Sequence, residues 1–430
     1  MAKSFRKGVK SPLAFIFIAV LFSITTASAQ TPQAALLASP ALKGAHVGIA
    51  VYNESTQQWV DKYQSDHYFT PASNTKIQSC YLGMKYLTDS ISGWQFAENK
   101  DSLFLMPLGD PSFLHPDFSY QPVADLIKTT KKRIVLCLPN EPDNFASFGR
   151  GWAWDDYPDY YSAEVSTLPM YGNLVSFTKD KENWIVSPGF FRNSTYYTEE
   201  NRIVRDRNEN RFYINPKMRS FNSPFITSPE LTTQMLVGLV KKTINYEQKY
   251  IPNNAEIVLS TPLDSLLKPL MHHSDNMIAE QLLVQIGTSM KRSQKVDAVI
   301  STIQKDADES FIKDIKWVDG SGLSRYNLMR PQDLVGILKA IHKEFSEDRW
   351  KALLPQAGKT GTLKNIEIKN PELLIYAKSG SFANTYNLSG FARTPKGKWL
   401  AFSVMSNLAN QSVSDSKKQI VEFLNQLSTL

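Results

Sequence analysis

The feature that most constrains the fold is a change of texture in the middle of the chain. From about residue 88 to 228, short strand-like runs such as "SLFLMPLG", "RIVLCLP" and "WIVSPGFF" are interrupted by Pro, Gly, Asn and Asp, with many aromatic residues between them. This composition is typical of a β-rich region with long loops. The regular patterns on either side must therefore form a core of their own around an inserted region.

The two ends of the chain predict elements of one shared domain. "AHVGIAVY" (45–52) alternates as a strand does, and "QWVDKY" can return as its hairpin partner. Near the C-terminus, "ELLIYAKS", "YNLSGFAR" and "KWLAFSVMSN" predict three strands, and "SDSKKQIVEFLNQLS" predicts a closing helix. Helical patterns occupy 228–244, 277–287 and 330–345. We therefore expect an α+β domain whose first and last thirds meet.

The length of the chain is consistent with this division. Its 430 residues exceed one ordinary core. Hydrophobic residues at 42% and aromatic residues at 11% indicate a protein that is folded throughout. We place a composite domain at residues 30–90 and 228–430, and a β-rich insertion at 91–227.

The first 29 residues predict a secretory signal peptide. Four basic residues precede an apolar run from about residue 12 to 24, and the small residues "ASA" (27–29) follow. The apolar run is short for a bilayer span. We expect cleavage before Gln30, export to the periplasm and no obligate membrane span in the mature chain.

The charge of the mature chain argues against a nucleic-acid partner. The predicted signal peptide contributes 4 of the net charge of +7, which leaves +3. The hypothesis of a nucleic-acid partner therefore loses its main support, which was the basic net charge. The sequence has no Gly-rich phosphate loop, which excludes kinases, GTPases and dinucleotide enzymes. We expect no cofactor.

The cysteines and histidines predict neither a disulfide framework nor a metal site. Cys80 and Cys137 are the only cysteines, and the sequence leaves open whether they pair. His272 and His273 are adjacent and lack a carboxylate at ligand spacing. A zinc site needs three or four convergent ligands, so we expect no metal.

A reactive hydroxyl is predicted at the start of the first long helix, in "FTPASNTKIQSCYLGMKYL" (69–87). Thr70 can cap this helix and Pro71 suits its first position, which makes Ser73 the third helical residue. Lys76 lies on the same face, so its amine can reach the Ser73 hydroxyl. The backbone N–H groups of the helix N-terminus can hold an oxyanion. The alternative is a capping serine beside a surface lysine.

Ser274-Asp275-Asn276 provides a second element, directly before a predicted helix. Alone it is an ordinary N-cap sequence. However, Ser-x-x-Lys, Ser-Asp-Asn and a Lys-Thr-Gly triad are the set shared by serine β-lactamases and penicillin-binding proteins. Ser73 and Lys76 supply the first member of this set, and Ser274-Asp275-Asn276 supplies the second, in the required order.

Two candidates exist for the third member, and their contexts differ. Lys359 follows "LLPQAG" and leads into a polar stretch, whereas Lys378 follows the strand-like "ELLIYA" and precedes another alternating strand. A triad that lines a cleft beside the nucleophile needs a rigid edge strand. We therefore assign the third motif to Lys378 rather than Lys359.

Longer segments carry a resemblance to a known family. "PASNTK" (71–76), "GDPSF" (109–113), "GWAWDDYPDYYSAEVS" (151–166), "SDNMIAEQLL" (274–283) and "DGSGLSRYN" (319–327) resemble landmarks of the class C low-molecular-weight penicillin-binding proteins, the D-alanyl-D-alanine carboxypeptidase/endopeptidase family. The resemblance covers nearly the whole mature chain. It implies a penicillin-recognising serine transpeptidase/β-lactamase-like domain, an antiparallel sheet flanked by helices, with an insertion after the nucleophile helix.

The resemblance also separates the two triads. "AGKTGTLKN" (357–365) is similar to an upstream element of the family, and "YAKSGSFANTYNLSGFA" (376–392) is similar to its third motif. Ser379 stands where threonine is usual and keeps a hydroxyl. The segment 319–327 is expected to shape the wall of the cleft through its two glycines, without a catalytic role.

The mechanism that the resemblance implies is acyl transfer at peptidoglycan stem peptides ending in D-Ala-D-Ala. Ser73 attacks the penultimate carbonyl with Lys76 as the base. Ser274 relays a proton toward the leaving amine. Asn276 binds the substrate amide and helps to position Lys76. Lys378 supplies positive potential near the terminal carboxylate.

Further residues are implied in substrate binding. The N–H groups of Ser73 and Ser381 would hold the oxyanion, and the hydroxyl of Ser379, next to Gly380, would bind the terminal carboxylate. The resemblance also implies that residues of the insertion contact the free amine of the diamino acid in the stem. The alternative is that the aromatic residues among them only pack the inserted region. The matching residues are Trp152, Asp155 and Tyr160.

Two alternative functions remain at this point. A serine β-lactamase uses the same nucleophile with a different deacylation step, and a non-catalytic envelope protein could keep the fold only to bind peptidoglycan. The first predicts turnover of β-lactams, and the second predicts no acyl adduct. The carboxypeptidase/endopeptidase interpretation predicts that β-lactams are covalent inhibitors.

Overall fold

The computed structural model describes residues 31–138, 146–181, 183–201, 203–291 and 293–430. The predicted signal peptide therefore lies outside the described residues, and its cleavage stays a prediction. Pro32–Leu430 forms one compact unit. None of the helices in the described ranges has the length and hydropathy of a bilayer span.

The strands follow one another along the whole described chain. In chain order they are β1 (His46–Asn53), β2 (Gln58–Tyr63), β3 (Ser90–Glu98), β4 (Ser102–Pro107), β5 (Arg133–Cys137), β6 (Leu174–Asp180), β7 (Asn183–Ser187), β8 (Thr195–Tyr197), β9 (Val204–Arg205), β10 (Phe212–Ile214), β11 (Phe221–Pro224), β12 (Ile244–Glu247), β13 (Glu256–Pro262), β14 (Leu374–Phe382), β15 (Thr385–Arg393) and β16 (Trp399–Asn407).

The helices are concentrated in the last two thirds of the chain. In chain order they are α1 (Pro32–Leu37), α2 (Thr75–Tyr86), α3 (Pro122–Thr129), α4 (Pro229–Val240), α5 (Leu263–His272), α6 (Asn276–Ser289), α7 (Val296–Asp306), α8 (Ser310–Lys313), α9 (Pro331–Glu344), α10 (Glu347–Leu353) and α11 (Val413–Gln426).

Strands from both ends of the chain pair in one antiparallel sheet, in the order β14–β15–β16–β1–β2. β1 and β16 pair along their full length, from His46 opposite Asn407 to Asn53 opposite Leu400. β1 and β2 form the predicted hairpin. The α+β prediction, with first and last thirds that meet, is confirmed.

Alternation along β1 divides the core between the two faces of this sheet. Ile49 and Val51 lie in a cluster with the apolar side of α11, whereas Ala50 and Tyr52 lie in a larger cluster with α2, α5, α6 and α9. The helix that follows Ser73 is thus buried between the sheet and the other helices.

The inserted region has a sheet of its own, in the order β12–β5–β4–β3–β13. β4, β5 and β12 run parallel to one another, and the helix α3 connects β4 with β5. Two smaller sheets, β8–β10–β9 and β11–β6–β7, complete the region. The region is β-rich as predicted, but the sequence did not indicate its parallel pairing.

Two strands of the inserted sheet lie beyond the boundary drawn at residue 227. β12 and β13 are the two edges of the inserted sheet, and Met235 and Leu236 of α4 lie in its core cluster. The reason is that β13 returns to pair with β3, over a separation that local patterns do not reveal. The division into domains stays a prediction, with the insertion best extended to Pro262.

The two cysteines do not pair. Cys80 packs in the core between helices, and Cys137 lies in a small cluster beside the inserted sheet. Both are buried free thiols, and burial raises the pKa of the Cys80 thiol to about 12. Neither is an activated nucleophile.

Trp350 is a central packing residue beneath the sheet, and its removal should destabilise the fold. Its side chain is 1% exposed, and its ring centroid lies 4.3 Å from that of Phe391 and 4.9 Å from that of Trp399. We predict that Trp350→Ala lowers the free energy of unfolding by about 3–5 kcal/mol, measured by urea denaturation.

The control is Trp154→Ala. Trp154 is 76% exposed, so its removal should cost less than about 1 kcal/mol. Equal losses for the two variants would contradict the packing described for Trp350.

Candidate active site

Ser73 lies in a tight turn that precedes α2. The turn is a single 3-10 segment, Ala72–Asn74, and Pro71 occupies its capping position without a side-chain bond. The prediction that Thr70 caps the helix is therefore wrong. The physical reason is that Ala72 has a φ of 48°, so regular helix begins only after the turn.

Amide side chains hold this turn against the sheet. Asn387 donates from Nδ2 to the carbonyls of Thr70 and Pro71, each at 2.9 Å. Asn74 donates from Nδ2 to Ser389 Oγ at 2.8 Å. A left-handed residue with a Cβ costs about 1–2 kcal/mol, so such bonds are needed to keep Ala72 in its conformation.

Two glycines allow neighbouring segments to approach the turn. A Cβ on Gly380 of β14 would lie 2.5 Å from Pro71 O and 2.8 Å from Asn74 N. A Cβ on Gly322 would lie 1.9 Å from Ala72 O. The turn with Ser73 is therefore clamped between β14 and the loop 319–324.

Lys76 is buried completely and has three acceptors for its amine. Nζ lies 3.1 Å from Ser73 Oγ, 2.6 Å from Asn276 Oδ1 and 2.6 Å from the carbonyl oxygen of Ser321. Asn276 donates from Nδ2 to the carbonyl of Tyr161 at 2.8 Å, which fixes the orientation of its amide. The predicted pair of Ser73 and Lys76 is thus brought together, with Asn276 beside it.

Burial changes the protonation of both lysines at the site. It lowers the pKa of Lys76 to about 8, although the carboxylates of Asp319, Glu280 and Asp275 act in the opposite direction. It also lowers the pKa of Lys378 well below its usual value, and the proximity of Lys76 adds to this effect. An amine with a pKa near 8 can act as a base at neutral to mildly alkaline pH.

Ser274 stands between α5 and α6, two residues before Asn276. It is half-buried and has a φ of 61°, a conformation that glycine usually takes at a helix C-terminus. Asp275 then caps α6 by accepting from the N–H of Ile278 at 2.8 Å. The position of Ser274 costs backbone strain that a glycine would avoid, which points to a use for its hydroxyl.

The Lys378 triad lies on β14, which is the edge strand of the sheet. Lys378 is fully buried, and its Nζ donates to the carbonyl of Ser379 at 2.8 Å. The N–H of Ala377 turns away from β15 to bond Pro355 O, and by the alternation of antiparallel strands the N–H of Ser381 points to the same side. Ser379 and Ser381 therefore present backbone groups at the open edge.

The other triad lies on an exposed turn. Lys359 and Thr360 are exposed and precede the 3-10 segment Gly361–Leu363. Thr362, within this 3-10 segment, accepts a hydrogen bond from Ser379 Oγ at 3.2 Å. The edge-strand setting expected of the third motif is thus the setting of Lys378 rather than Lys359.

The residues predicted in the insertion lie on one segment at different depths. Asp155 and Tyr160 are exposed, whereas Trp152 is half-buried and donates from its indole N–H to Asp319 Oδ2 at 3.0 Å. This segment reaches the amine of Lys76 through the bond from Asn276 to Tyr161. Trp152 is thus held by the loop beside Ser73, while Asp155 and Tyr160 are exposed.

Sequence reasoning missed the part that the segment 319–327 plays. It was given no catalytic role, yet its Ser321 carbonyl is an acceptor of the Lys76 amine, and Gly320 O accepts from Ser79 Oγ at 2.6 Å. Glu280 and Asp319 are buried carboxylates that bind the backbone of this loop. The sequence carried no signal for this contact, because the group that faces Lys76 is a backbone carbonyl.

The geometry agrees with what comparison with known proteins finds. Residues 30–198 and 237–427 match the D-Ala-D-Ala carboxypeptidase 3 (S13) family. The chain belongs to this family. A D-alanyl-D-alanine carboxypeptidase DacB of Haemophilus influenzae is 26% identical to this S13 family member over 84% of this chain and 85% of the relative. A D-alanyl-D-alanine carboxypeptidase of Actinomadura sp. (strain R39) is 25% identical over 87% and 80%.

Solved structures resemble this S13 family member in fold. Penicillin binding protein 4 of Haemophilus influenzae has a TM-score of 0.70 at 23% identity, covering 90% of this chain and 96% of that one. A predatory peptidoglycan endopeptidase from Bdellovibrio bacteriovorus has a TM-score of 0.52 at 17% identity, covering 90% and 93%. The penicillin-binding-protein fold predicted from the sequence is confirmed.

Gly380 provides a test of the clamp around the nucleophile turn. We predict that Gly380→Ala lowers the free energy of unfolding by about 1–3 kcal/mol, because the added Cβ pushes β14 off the turn. The rate at which a fluorescent penicillin acylates the protein should fall at the same time. Thermal unfolding and adduct formation measure the two effects.

Gly238 on α4 is the matched control, since a Cβ there meets nothing within 4 Å. Gly238→Ala should be neutral or slightly stabilising and should leave acylation unchanged. An unaltered acylation rate in Gly380→Ala would argue that β14 does not have to touch the turn.

Proposed function

We propose that this protein is a serine D-Ala-D-Ala carboxypeptidase and DD-endopeptidase that acts on peptidoglycan stem peptides through an acyl-enzyme on Ser73. The observation that carries the proposal is the buried Lys76 amine at 3.1 Å from Ser73 Oγ. Membership of the S13 family supports the reaction class. The intact nucleophile and base argue against a protein that only binds peptidoglycan.

The acceptors of Lys76 explain how its lone pair would be aimed. Asn276 Oδ1 and the Ser321 carbonyl oxygen can only accept hydrogen bonds. When Lys76 is a free amine, its two N–H bonds go to these oxygens and its lone pair is left for Ser73. The Ser73 hydroxyl then donates to that lone pair, which is the arrangement of a nucleophile and its base.

Acylation follows from this arrangement. Ser73 Oγ attacks the carbonyl carbon of the penultimate D-Ala while Lys76 takes its proton. The N–H groups of Ser73 and Ser381 would stabilise the oxyanion. The peptide C–N bond breaks, and the leaving amine receives a proton through Ser274. Water then attacks the ester and releases the shortened stem.

The substrate's terminal carboxylate would bind at the open edge of β14. Although burial lowers the pKa of Lys378, a bound carboxylate would favour its charged form, and the side chain would then provide positive potential. The Ser379 hydroxyl, already in contact with Thr362, lies at the rim. Asn276, which already accepts from Lys76, would also bind the substrate amide. An extended stem peptide can lie along the strand edge next to Gly380.

The inserted segment would select the diamino acid of the stem. Asp155 is exposed close in sequence to the aromatic ring of Tyr160, which is 57% exposed. A carboxylate beside an aromatic face suits an ammonium group. Trp152 would contribute its ring, with its N–H held by Asp319. Export to the periplasm would place the enzyme at its substrate.

The decisive experiment compares wild type with Ser73→Ala. We predict that wild type removes one D-Ala from isolated muropeptides or cleaves their D-Ala cross-links, and that Ser73→Ala does neither. The reason is that Ser73 supplies the one hydroxyl among the three acceptors of the Lys76 amine. Mass spectrometry of the products names the reaction. A penicillin adduct that persists on Ser73 supports covalent inhibition, whereas rapid β-lactam turnover favours a β-lactamase, and an unlabelled folded protein favours a binding role.

The pH dependence of acylation tests the role of Lys76. The free amine is the active form, so the rate should be constant above a pH of about 8 and fall about tenfold for each pH unit below it. Lys76→Arg should abolish acylation, because arginine stays protonated. Lys359→Met, in the exposed triad, should keep both the rate and the profile. A rate that does not fall below pH 8 would contradict Lys76 as the base.

A further inference from the structure

Glu280 is a buried carboxylate one helical turn from Asn276, and both belong to α6. It is 1% exposed. Its Oε2 accepts from the N–H of Gly320 at 3.0 Å and its Oε1 from the N–H of Ser321 at 2.8 Å. These partners are all donors, which suits an ionised carboxylate rather than an amide.

These bonds determine where the Ser321 peptide points. Its carbonyl oxygen accepts from Lys76 Nζ at 2.6 Å. Since Asn276 and Glu280 are four residues apart, they share one face of α6. α6 therefore supplies one acceptor of the Lys76 amine directly, at Asn276. It also holds the second, the carbonyl of Ser321, through the carboxylate of Glu280.

Asp319 completes the support from inside the loop. Its Oδ1 accepts from Gly322 N at 2.8 Å and its Oδ2 from Ser324 N at 2.6 Å. The Gly322 backbone in turn touches the turn of Ser73 at Ala72. The loop is thus tied from within by Asp319. It is also held from α2, where Ser79 Oγ donates to Gly320 O at 2.6 Å, and from α6 by the carboxylate of Glu280.

A purely structural role would give a different pattern. A buried carboxylate that only stabilises the fold could bind any donors, as Glu164 does with Thr227 and Arg205 in the inserted region. Glu280 instead binds the two successive N–H groups next to the carbonyl that faces the catalytic amine. Its burial beside a second carboxylate is costly, and it is retained where it can act on Lys76.

We propose that Glu280 is a positioning residue for acyl transfer, which fixes the Ser321 carbonyl against Lys76 so that the lone pair of the free amine is directed at Ser73. The inference rests on the proposed function. A neutral or displaced group at this position lets the Ser321 peptide rotate. Lys76 then loses one of the two acceptors that orient it, and the hydroxyl of Ser73 is activated less often.

The charge of Glu280 gives a second readout. Burial and the neighbouring Asp319 raise the pKa of Glu280 to about 7, so its carboxylate is ionised at the pH near 8 where Lys76 titrates. Removing this negative charge lowers the pKa of Lys76, so the acid limb of the acylation profile should move to lower pH while the maximal rate falls. The other charged groups around these two residues are the same in wild type and variant. They are Asp275, Asp319 and Lys378 around the amine, and Arg150, Lys295 and Asp297 lining a cavity of about 350 Å³ that also contacts Glu280.

The test is Glu280→Gln, with the acylation of Ser73 by a fluorescent penicillin measured across pH and the adduct located by mass spectrometry. We expect the maximal acylation rate to fall by about 10-fold to 100-fold and the acid limb to move below that of wild type. Glu280→Asp keeps the negative charge but shortens the side chain by one methylene. The acylation rate should therefore fall, while the acid limb of the pH profile stays where it is in wild type.

A matched control separates positioning from folding. Glu164→Gln makes the same chemical change at a buried carboxylate of the inserted region, and should alter thermal unfolding without moving the limb. Thermal unfolding of every variant shows how much folded enzyme is present.

The outcomes are distinct. A folded Glu280→Gln with wild-type rate and limb overturns the inference, as does a loss that matches the unfolded fraction alone. If Glu280→Gln does not fold, an unchanged rate in Glu280→Asp overturns it and a reduced rate supports it. Absence of any Ser73 adduct in wild type overturns the proposed function together with this inference, whereas a normal wild-type adduct keeps the two questions separate.

Discussion

The structure depends on the burial of one amine. Removing an ammonium group from water costs several kcal/mol unless hydrogen-bond partners replace the water. Lys76 finds its acceptors on the turn of Ser73, on α6 at Asn276 and on the loop at Ser321. These segments are far apart in the sequence and must converge within about 3 Å of Nζ for the amine to be tolerated. The same convergence that makes burial possible builds the site.

The surrounding fold supplies rigidity to this convergence. The amide of Asn387 holds the turn from the sheet, and the glycines at 380 and 322 let backbone approach it from two sides. Ala72 and Ser274 both have left-handed φ values next to the functional groups. Strain of this kind persists only where neighbouring contacts over-determine the backbone. The inserted region, by contrast, packs its own core and touches the site through Tyr161 and Trp152.

Local patterns in the sequence were sufficient for the elements that depend on local spacing. The hairpin of β1 and β2, the three final strands and α11 follow from alternation and helical periodicity, and the contact between Ser73 and Lys76 follows from their spacing of three. The parallel pairing around α3 and the return of β13 to β3 were missed, because strand partners are chosen over long separations. The role of Ser321 was missed for another reason. A backbone carbonyl carries no signature of residue type, so only coordinates show that it faces Lys76.

The long separations along the chain have a consequence for how activity is acquired during synthesis. Ser73 and Lys76 emerge together, but their acceptor on Asn276 follows 200 residues later, the one on Ser321 follows 245 residues after Lys76, and the brace from Asn387 to Thr70 spans 317 residues. Contacts of this range form late, after local structure. An incomplete chain therefore carries an ordinary serine beside a hydrated, protonated lysine. We therefore expect the Ser73 hydroxyl to become reactive only in the finished protein, once the last strands are in place.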